Sequence, residues 1–451
     1  MDELPVVVVG AGPVGLAAAA NLVERGLTPL VLEAGSEAGA AVAQWHHVRL
    51  FSAWPELVDP AAARLLEPTG WQRPTEGYPT GAEWAQRYLQ PLAAMLGDRV
   101  RFGARVVGVA RRGRDRIVDA GRETEPLTVH VVTAEGTTAG GTTAKGTEER
   151  ITASGVIDAS GTWDSPNPLG GDGLPAVGER AAADRISYRV PDLASEAARY
   201  AGKRVAVAGS GHSALTALIA LTQLPDTKVV WLLRRGAVGS VFGGGDADQL
   251  PARGALGLRA QQATRDGHVE VVTGFRTAEV EHSADGRLVL VSQDDHRLEP
   301  VDEVVVLTGS RPDLSWLSEI RLDLDPVLQA PTALAPLIDP NVHSCGTVYP
   351  HGAAELAHPE PRVFLAGMKS YGRAPTFLAM TGYEQVRSVV AELAGDHEAA
   401  ERVELVLPET GVCGGAGDFD APAQDNGGGG CCGPALPQVL TLTTAPAAAP
   451  R

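Results

Sequence analysis

Two glycine-rich turns, each preceded by an apolar run and followed by a helix-forming run of small residues, constrain this chain more than any other feature. The first is Val6-Val-Val-Val-Gly10-Ala-Gly12-Pro13-Val-Gly15, with the strand Leu30-Val-Leu-Glu33 after it. The second is Val205-Ala-Val-Ala-Gly209-Ser-Gly211-His212-Ser213-Ala214, with Val229-Val-Trp-Leu-Leu-Arg234-Arg235 after it. A strand that turns on glycines into a helix leaves free N–H groups at the helix start, and the missing side chains let a pyrophosphate approach them. The residue closing the next strand then sorts the ligand. Glu33 can accept hydrogen bonds from a ribose diol and repels a 2′-phosphate, whereas the guanidinium forks of Arg234 and Arg235 favour one. The pattern predicts an α/β chain with two Rossmann-like dinucleotide-binding domains. Gly209, Gly211, His212, Ser213, Arg234 and Arg235 are expected to bind NADPH. The first motif, with Gly10, Gly12, Pro13, Gly15 and Glu33, fits FAD or NAD by its acid alone; order along the chain, with the nicotinamide unit inserted later, favours FAD.

The 451 residues leave room for two or three domains with a substantial core. A formal charge of −17 argues against nucleic acid or an anionic membrane as partner and leaves a small-molecule substrate. Arg111, Arg112, Arg114 and Arg116 read as a solvated turn among acids. The first strand begins almost at Met1 with no basic leader, and the Ala17 to Val23 run is too short to span a bilayer, so a cytoplasmic protein is expected. Four cysteines in this length do not make a disulfide framework.

The expected layout is 1–165, the first part of the FAD domain; 166–300, the NADPH domain inserted into it; 301–400, the second FAD part; and 401–451, a flexible Gly/Pro/Ala-rich tail. Gln44 to Trp54 should run from the second strand into the cofactor cleft, placing Gln44 and Trp45 beside the isoalloxazine ring. His46 and His47 follow Trp45 near the expected flavin edge, where one imidazole can donate a proton or hold an oxygen species, or simply bond to backbone; His46, with Trp45, is the catalytic candidate. Thr80 and Glu83 have capping-box spacing. Val100 to Ile157 reads as a three-stranded meander, with Thr133 to Arg150 as a hairpin extension. Gly161 and Gly367 each end a strand near the cofactor, and Val304 to Asp313 is expected to return the chain to the first domain. Pro375 to Leu393 reads as a helix whose N-terminus can stabilise negative charge on a flavin. Asp246, Asp248 and Arg253 either face the substrate cleft or are ordinary surface charges, and Cys345 reads as a buried structural thiol.

From Val6 to Leu393 these landmarks, with DASGTW at Asp158 to Trp163 and LTGSRPD at Leu307 to Asp313, resemble the two-dinucleotide-binding-domain flavoproteins. That group includes flavin-containing monooxygenases and pyridine nucleotide-disulfide oxidoreductases. WHHVRLFSAW, YPTG, SGHSA, LPARGALG and GMKSYGRAPTFLAMTGYEQVRS look closer still to the monooxygenase-like flavoproteins of bacterial arsenic-resistance clusters. The resemblance implies an FAD- and NADPH-dependent oxidoreductase. It departs in three ways, one being that Gly367-Met368 replaces the Gly-Asp that disulfide reductases carry near the flavin ribityl chain. The FxGxxxHxxx(Y/W) fingerprint of flavin-containing monooxygenases is replaced by Ile186-Ser-Tyr-Arg-Val-Pro-Asp192, and no CxxC or CxxxxC lies beside either nucleotide motif. Cys413, Cys431 and Cys432, in the glycine-rich tail, can wrap a soft centre such as trivalent arsenic, or be idle or paired with each other. Three readings stay open: a monooxygenase-like enzyme, a flavin-dependent reductase feeding the tail thiols or an arsenical held by them, and a non-catalytic FAD-binding metalloid or redox sensor.

Overall fold

The computed structural model describes residues 4–133, 136–137, 143–144, 146–248, 250–342, 350–375 and 377–405. Its first sheet has five parallel strands in the order Val363–Leu365, Gly155–Asp158, Val6–Val9, Pro29–Leu32 and Val100–Arg101. The uniform apolar run Val6–Val9 is what a strand buried on both faces requires. Val6 and Val8 pack with Leu16 and Leu22 of helix Pro13–Glu24 and with Val386 and Val389 of helix Ala379–Leu393. Val7 and Val9 face the other way, onto Val106, Val109, Val129 and Val131 of an antiparallel meander formed by Ala104–Arg111, Leu127–Thr133 and Glu148–Ala153.

The second sheet repeats the plan. Its parallel strands run in the order Ile186–Ser187, Glu303–Val306, Arg204–Ala208, Lys228–Leu232 and Val269–Val272. Val205, Val207 and Trp231 meet helix His212–Leu221 on one face, while Ala206, Val230 and Leu232 meet the hairpin Thr277–His282 and Leu288–Ser292 on the other. Each glycine motif therefore follows the central strand of its sheet, where strand order reverses. In open parallel sheets that switch point is where a crevice opens beyond the carboxyl ends of the strands.

Several expectations are corrected. Glu303–Val306 bonds to Arg204–Ala208 in the second sheet, so the chain returns to the first sheet only after Val306. The helix expected from Pro375 starts at Ala379, because Leu378 is extended at φ −113°, ψ 146°. Arg111 is not part of a solvated turn: it is 3% exposed and paired to Glu360. Within the expected hairpin extension, Gly136–Thr137 pairs with Thr143–Ala144. Thr80 and Glu83 form the expected reciprocal cap. Cys345, Cys413, Cys431, Cys432 and the tail from 406 lie outside the described residues. Among the described residues no helix is long and apolar enough to cross a membrane.

A buried carboxyl under the first sheet gives the fold a pH response. Asp59 caps helix Pro60–Leu66, accepting from Ala62 N at 2.8 Å and from Asn21 Nδ2 at 3.4 Å. Burial pushes its pKa from 3.8 to about 6 despite those bonds. The folded protein then holds a proton that the unfolded chain has released, so stability falls as pH rises from about 4 to about 6, by about 3 kcal/mol in all. Asp59→Asn, which keeps a capping oxygen, is expected to flatten that fall. Urea midpoints measured across this range check it; an Asn variant with the wild-type slope would assign the response to another group.

Candidate functional site

The carboxyl ends of both sheets open on one cavity of about 1560 Å³. Typical single-ligand pockets hold roughly 300–1,000 Å³, so this one has room for more than one ligand. In its first half the glycines do different work. Gly10 has φ +100°, and a Cβ there would sit 2.8 Å from Ala159 O; a Cβ on Gly15 would sit 2.0 Å from Gly10 O. Those two are glycine because backbone crowds them. Gly12 is not crowded: a Cβ would meet nothing within 4 Å, and the residue lines the cavity. It begins helix Pro13–Glu24, whose first N–H groups receive no side-chain cap, and Pro13 takes the position that needs no donor. Open space over an uncapped helix start is a cradle for a pyrophosphate.

Glu33 stands beside this turn, also lining the cavity, and accepts from Ala11 N and Gly35 N at 2.7 Å each, one bond per oxygen. A carboxylate has about four acceptor sites, so two remain for a ribose. Gly161 and Gly367 line the same wall, both at φ +71°. The Gly367 N–H donates to Gln385 Oε1 at 2.8 Å. Gln44 and Trp45 line the cavity as well, with Trp45 seated 6.4 Å from the Trp84 ring. His46 does not line it. Its side chain is 52% exposed, its Nδ1 lies 3.2 Å from Ala43 O, and its Nε2 is 3.7 Å from Asp192 Oδ2. The adjacent His47 is the imidazole in the cavity wall.

A buried ion pair between the two glycine breaks went unread in the sequence. Lys369 and Asp158 are 1% and 0% exposed, with Nζ 2.7 Å from Oδ2. Lys369 Nζ also donates to Ser160 Oγ at 3.0 Å and sits 4.7 Å over the Trp316 ring, while Asp158 accepts from Ser160 N and Oγ. The pair joins the ends of adjacent strands Gly155–Asp158 and Val363–Leu365 and holds a fixed cation on the cavity wall. The local signal, an acid and a lysine each beside a strand-ending glycine, becomes readable only once those strands are known to be neighbours.

In the second half, Gly209 has φ +133°, and a Cβ would fall 2.2 Å from Leu307 O. Trp231 Nε1 donates to Gly209 O at 2.7 Å and pins the turn. Gly211, like Gly12, would meet nothing within 4 Å, and it begins the uncapped helix His212–Leu221. His212 and Ser213 line the cavity. Burial, reinforced by the charge of Arg253 and opposed by Asp248, lowers the His212 pKa to about 4, so it meets a ligand at neutral pH as an uncharged imidazole. Arg253 and Asp248 are not surface charges: they are buried and joined by two bonds of 2.8 and 2.7 Å, whereas Asp246 is exposed. Arg234 and Arg235 follow the strand Lys228–Leu232 outside the cavity lining, and Arg234 Nη1 donates to Gly171 O at 3.3 Å.

Residues 4–358 match the family described as pyridine nucleotide-disulphide oxidoreductase. The bacillithiol disulfide reductase of Bacillus cereus shares the fold with a TM-score of 0.62 at 19% identity, over 87% of this chain and 99% of that one. A flavin-containing monooxygenase from Stenotrophomonas maltophilia does so with a TM-score of 0.53 at 22% identity, over 88% and 99%. The cadaverine monooxygenase of desferrioxamine biosynthesis from Erwinia amylovora, solved with FAD bound, gives 0.58 at 15% identity, over 90% and 99%. At these identities the likeness is one of fold. No curated protein matches the sequence.

Proposed function

The chain belongs to the pyridine nucleotide-disulphide oxidoreductase family, and from that premise we propose that it is an FAD-dependent, NADPH-consuming oxidoreductase of monooxygenase type. The observation that carries the reading is the pair of uncapped helix starts, at Gly12 and Gly211, each with open Cβ space. The walls of both nucleotide-binding halves contribute to one cavity. A bound flavin would supply electron transfer from the nicotinamide to the acceptor. The chain's own residues do the rest: Glu33 holds a ribose, Gly12 and Gly211 admit pyrophosphates, and Lys369 presents a fixed cation.

The cysteines favour an oxygenase over a disulfide reductase, since the chain has four, at 345, 413, 431 and 432, and none beside a nucleotide motif. The resemblance to flavoproteins of arsenic-resistance clusters supports an arsenical as substrate class, with Cys413, Cys431 and Cys432 as its thiol ligands. The deciding experiment is to reduce the holoenzyme with NADPH without oxygen and then mix it with oxygenated buffer. A lasting flavin spectrum that is neither reduced nor oxidised supports the monooxygenase reading. Direct return to oxidised flavin with stoichiometric peroxide, with and without trivalent arsenical, sinks it.

The cofactor preference is separately testable. Each charge-assisted hydrogen bond contributes about 1.5–3 kcal/mol, so Arg234→Ala with Arg235→Ala is expected to reduce the NADPH-over-NADH preference in kcat/KM by about 10- to 100-fold. An unchanged ratio would place the 2′-phosphate elsewhere.

A further inference from the structure

We propose that His46, His47 and Asp192 form a binding site for one divalent transition-metal ion where the two nucleotide-binding halves meet. One ligand atom from each lies within 4.8 Å of the other two. The imidazoles are adjacent in sequence and nearly perpendicular, with ring centres 5.3 Å apart at 74°, so they present lone pairs from different directions. Asp192 comes from the other half. It begins helix Leu193–Tyr200, whose Tyr200 packs against the second sheet's core.

Three details fit a metal better than a plain surface cluster. With Nδ1 3.2 Å from Ala43 O, His46 donates to that carbonyl and turns its Nε2 lone pair toward Asp192 Oδ2, 3.7 Å away. Metal-ligating histidines are commonly oriented by such a bond from the second nitrogen. Two ligands bound tetrahedrally at about 2.1 Å stand about 3.4 Å apart, so the His46–Asp192 pair at 3.7 Å needs only a small adjustment. Both ring nitrogens of His47 are shielded from water and have no hydrogen-bond partner among the described residues, a costly state that coordination of one nitrogen would relieve. Asp192 uses its oxygens on Ala194 N at 3.1 Å and Ser195 Oγ at 2.8 Å, which leaves acceptor sites for a cation.

Two imidazoles and one carboxylate select zinc, nickel, copper or iron over the all-oxygen cations magnesium and calcium. His47 and Asp192 also belong to the residues lining the large cavity, so the proposed ion would stand at its edge. An ion held there clasps the segment after Gln44 to the segment before Leu193 and restricts the opening of the cleft. This inference does not depend on the reaction proposed above, and its test reads binding rather than turnover.

The test is calorimetric titration of zinc into the FAD-loaded full chain after its cysteines have been alkylated, which removes the competing tail thiols. One site of micromolar affinity is expected, together with a raised unfolding temperature. His46→Ala and Asp192→Asn should each weaken it at least tenfold. His46 is exposed and asparagine preserves the Asp192 cap, so both variants keep the fold, which flavin content and circular dichroism verify. His47→Ala should abolish binding where it retains flavin. Absence of binding in the alkylated protein, or undiminished binding in both His46→Ala and Asp192→Asn, overturns the proposal.

Discussion

Glu360→Gln is expected to cost about 3–5 kcal/mol of folding stability, because it strips the counter-charge from two buried guanidinium groups. Glu360 is 1% exposed; its Oε1 accepts from Arg111 Nε and Nη2 at 2.9 and 2.8 Å, and its Oε2 from Arg122 Nη2 at 2.7 Å. One carboxylate serves two cations, and the surplus charge is met by the carbonyls of Glu125, Pro361 and Asp115 at 2.7, 2.9 and 2.6 Å. The cluster fastens the meander and its turn to the segment entering strand Val363–Leu365. Glutamine keeps the volume but leaves both arginines buried without an anion. Burial alone would raise the Glu360 pKa, but the bonds from Arg122 and Arg111 hold it below 4.5. Its contribution is therefore complete above that value and is lost as pH falls through the lowered one. Urea unfolding of the holoenzyme at neutral pH measures the loss; a change below about 1 kcal/mol would mean that the arginines are reached by water.

Gly211→Val is expected to lower NADPH affinity about 100-fold, the equivalent of one or two charge-assisted hydrogen bonds, while flavin content and unfolding temperature stay at wild-type values. The argument is spatial. Nothing lies within 4 Å of a Cβ at Gly211, so the protein has no packing reason for glycine there, and an isopropyl group would fill the approach to the start of helix His212–Leu221. Gly209 gives the contrast, since even alanine would strain its φ of +133° and strike Leu307 O. Equilibrium binding of NADPH to oxidised enzyme decides the matter, and wild-type affinity in the valine variant would remove this turn from the site.

Both glycine turns, the capping box at Thr80 and the alternating meander were legible because each is a local pattern whose physical reason lies within a few residues, although the ends of the expected meander, Val100–Arg101 and Gly155–Asp158, pair in parallel within the first sheet instead. The ion pairs were not legible. Arg111 and Glu360 are 249 positions apart, and Arg111 sits among arginines that are mostly exposed, so composition pointed to solvent. Asp158 and Lys369 meet only because their strands are neighbours. Both adjacent histidines were expected near the flavin edge, with His46 as the catalytic candidate, yet the backbone after helix Ala40–Ala43 turns only His47 inward. A choice between consecutive residues depends on turn geometry that residue type does not encode. The opposite charges at Glu33 and Arg234 do not stand at one position: the first glycine of each motif donates to Leu32 O and Leu232 O, so Leu233 answers to Glu33 and Arg234 follows one residue later.

The strand orders also set a timetable for synthesis. All five strands of the second sheet lie between residues 186 and 306, whereas the first draws its edge strand from Val363–Leu365. A chain leaving the ribosome N-terminus first can close the later sheet while the earlier one still waits for its last strand. Until then Gly155–Asp158 has an unpaired edge, and Asp158 emerges some two hundred residues before its lysine. The half that is begun first is finished last, which makes the nascent chain most vulnerable to aggregation on the side of the first glycine turn.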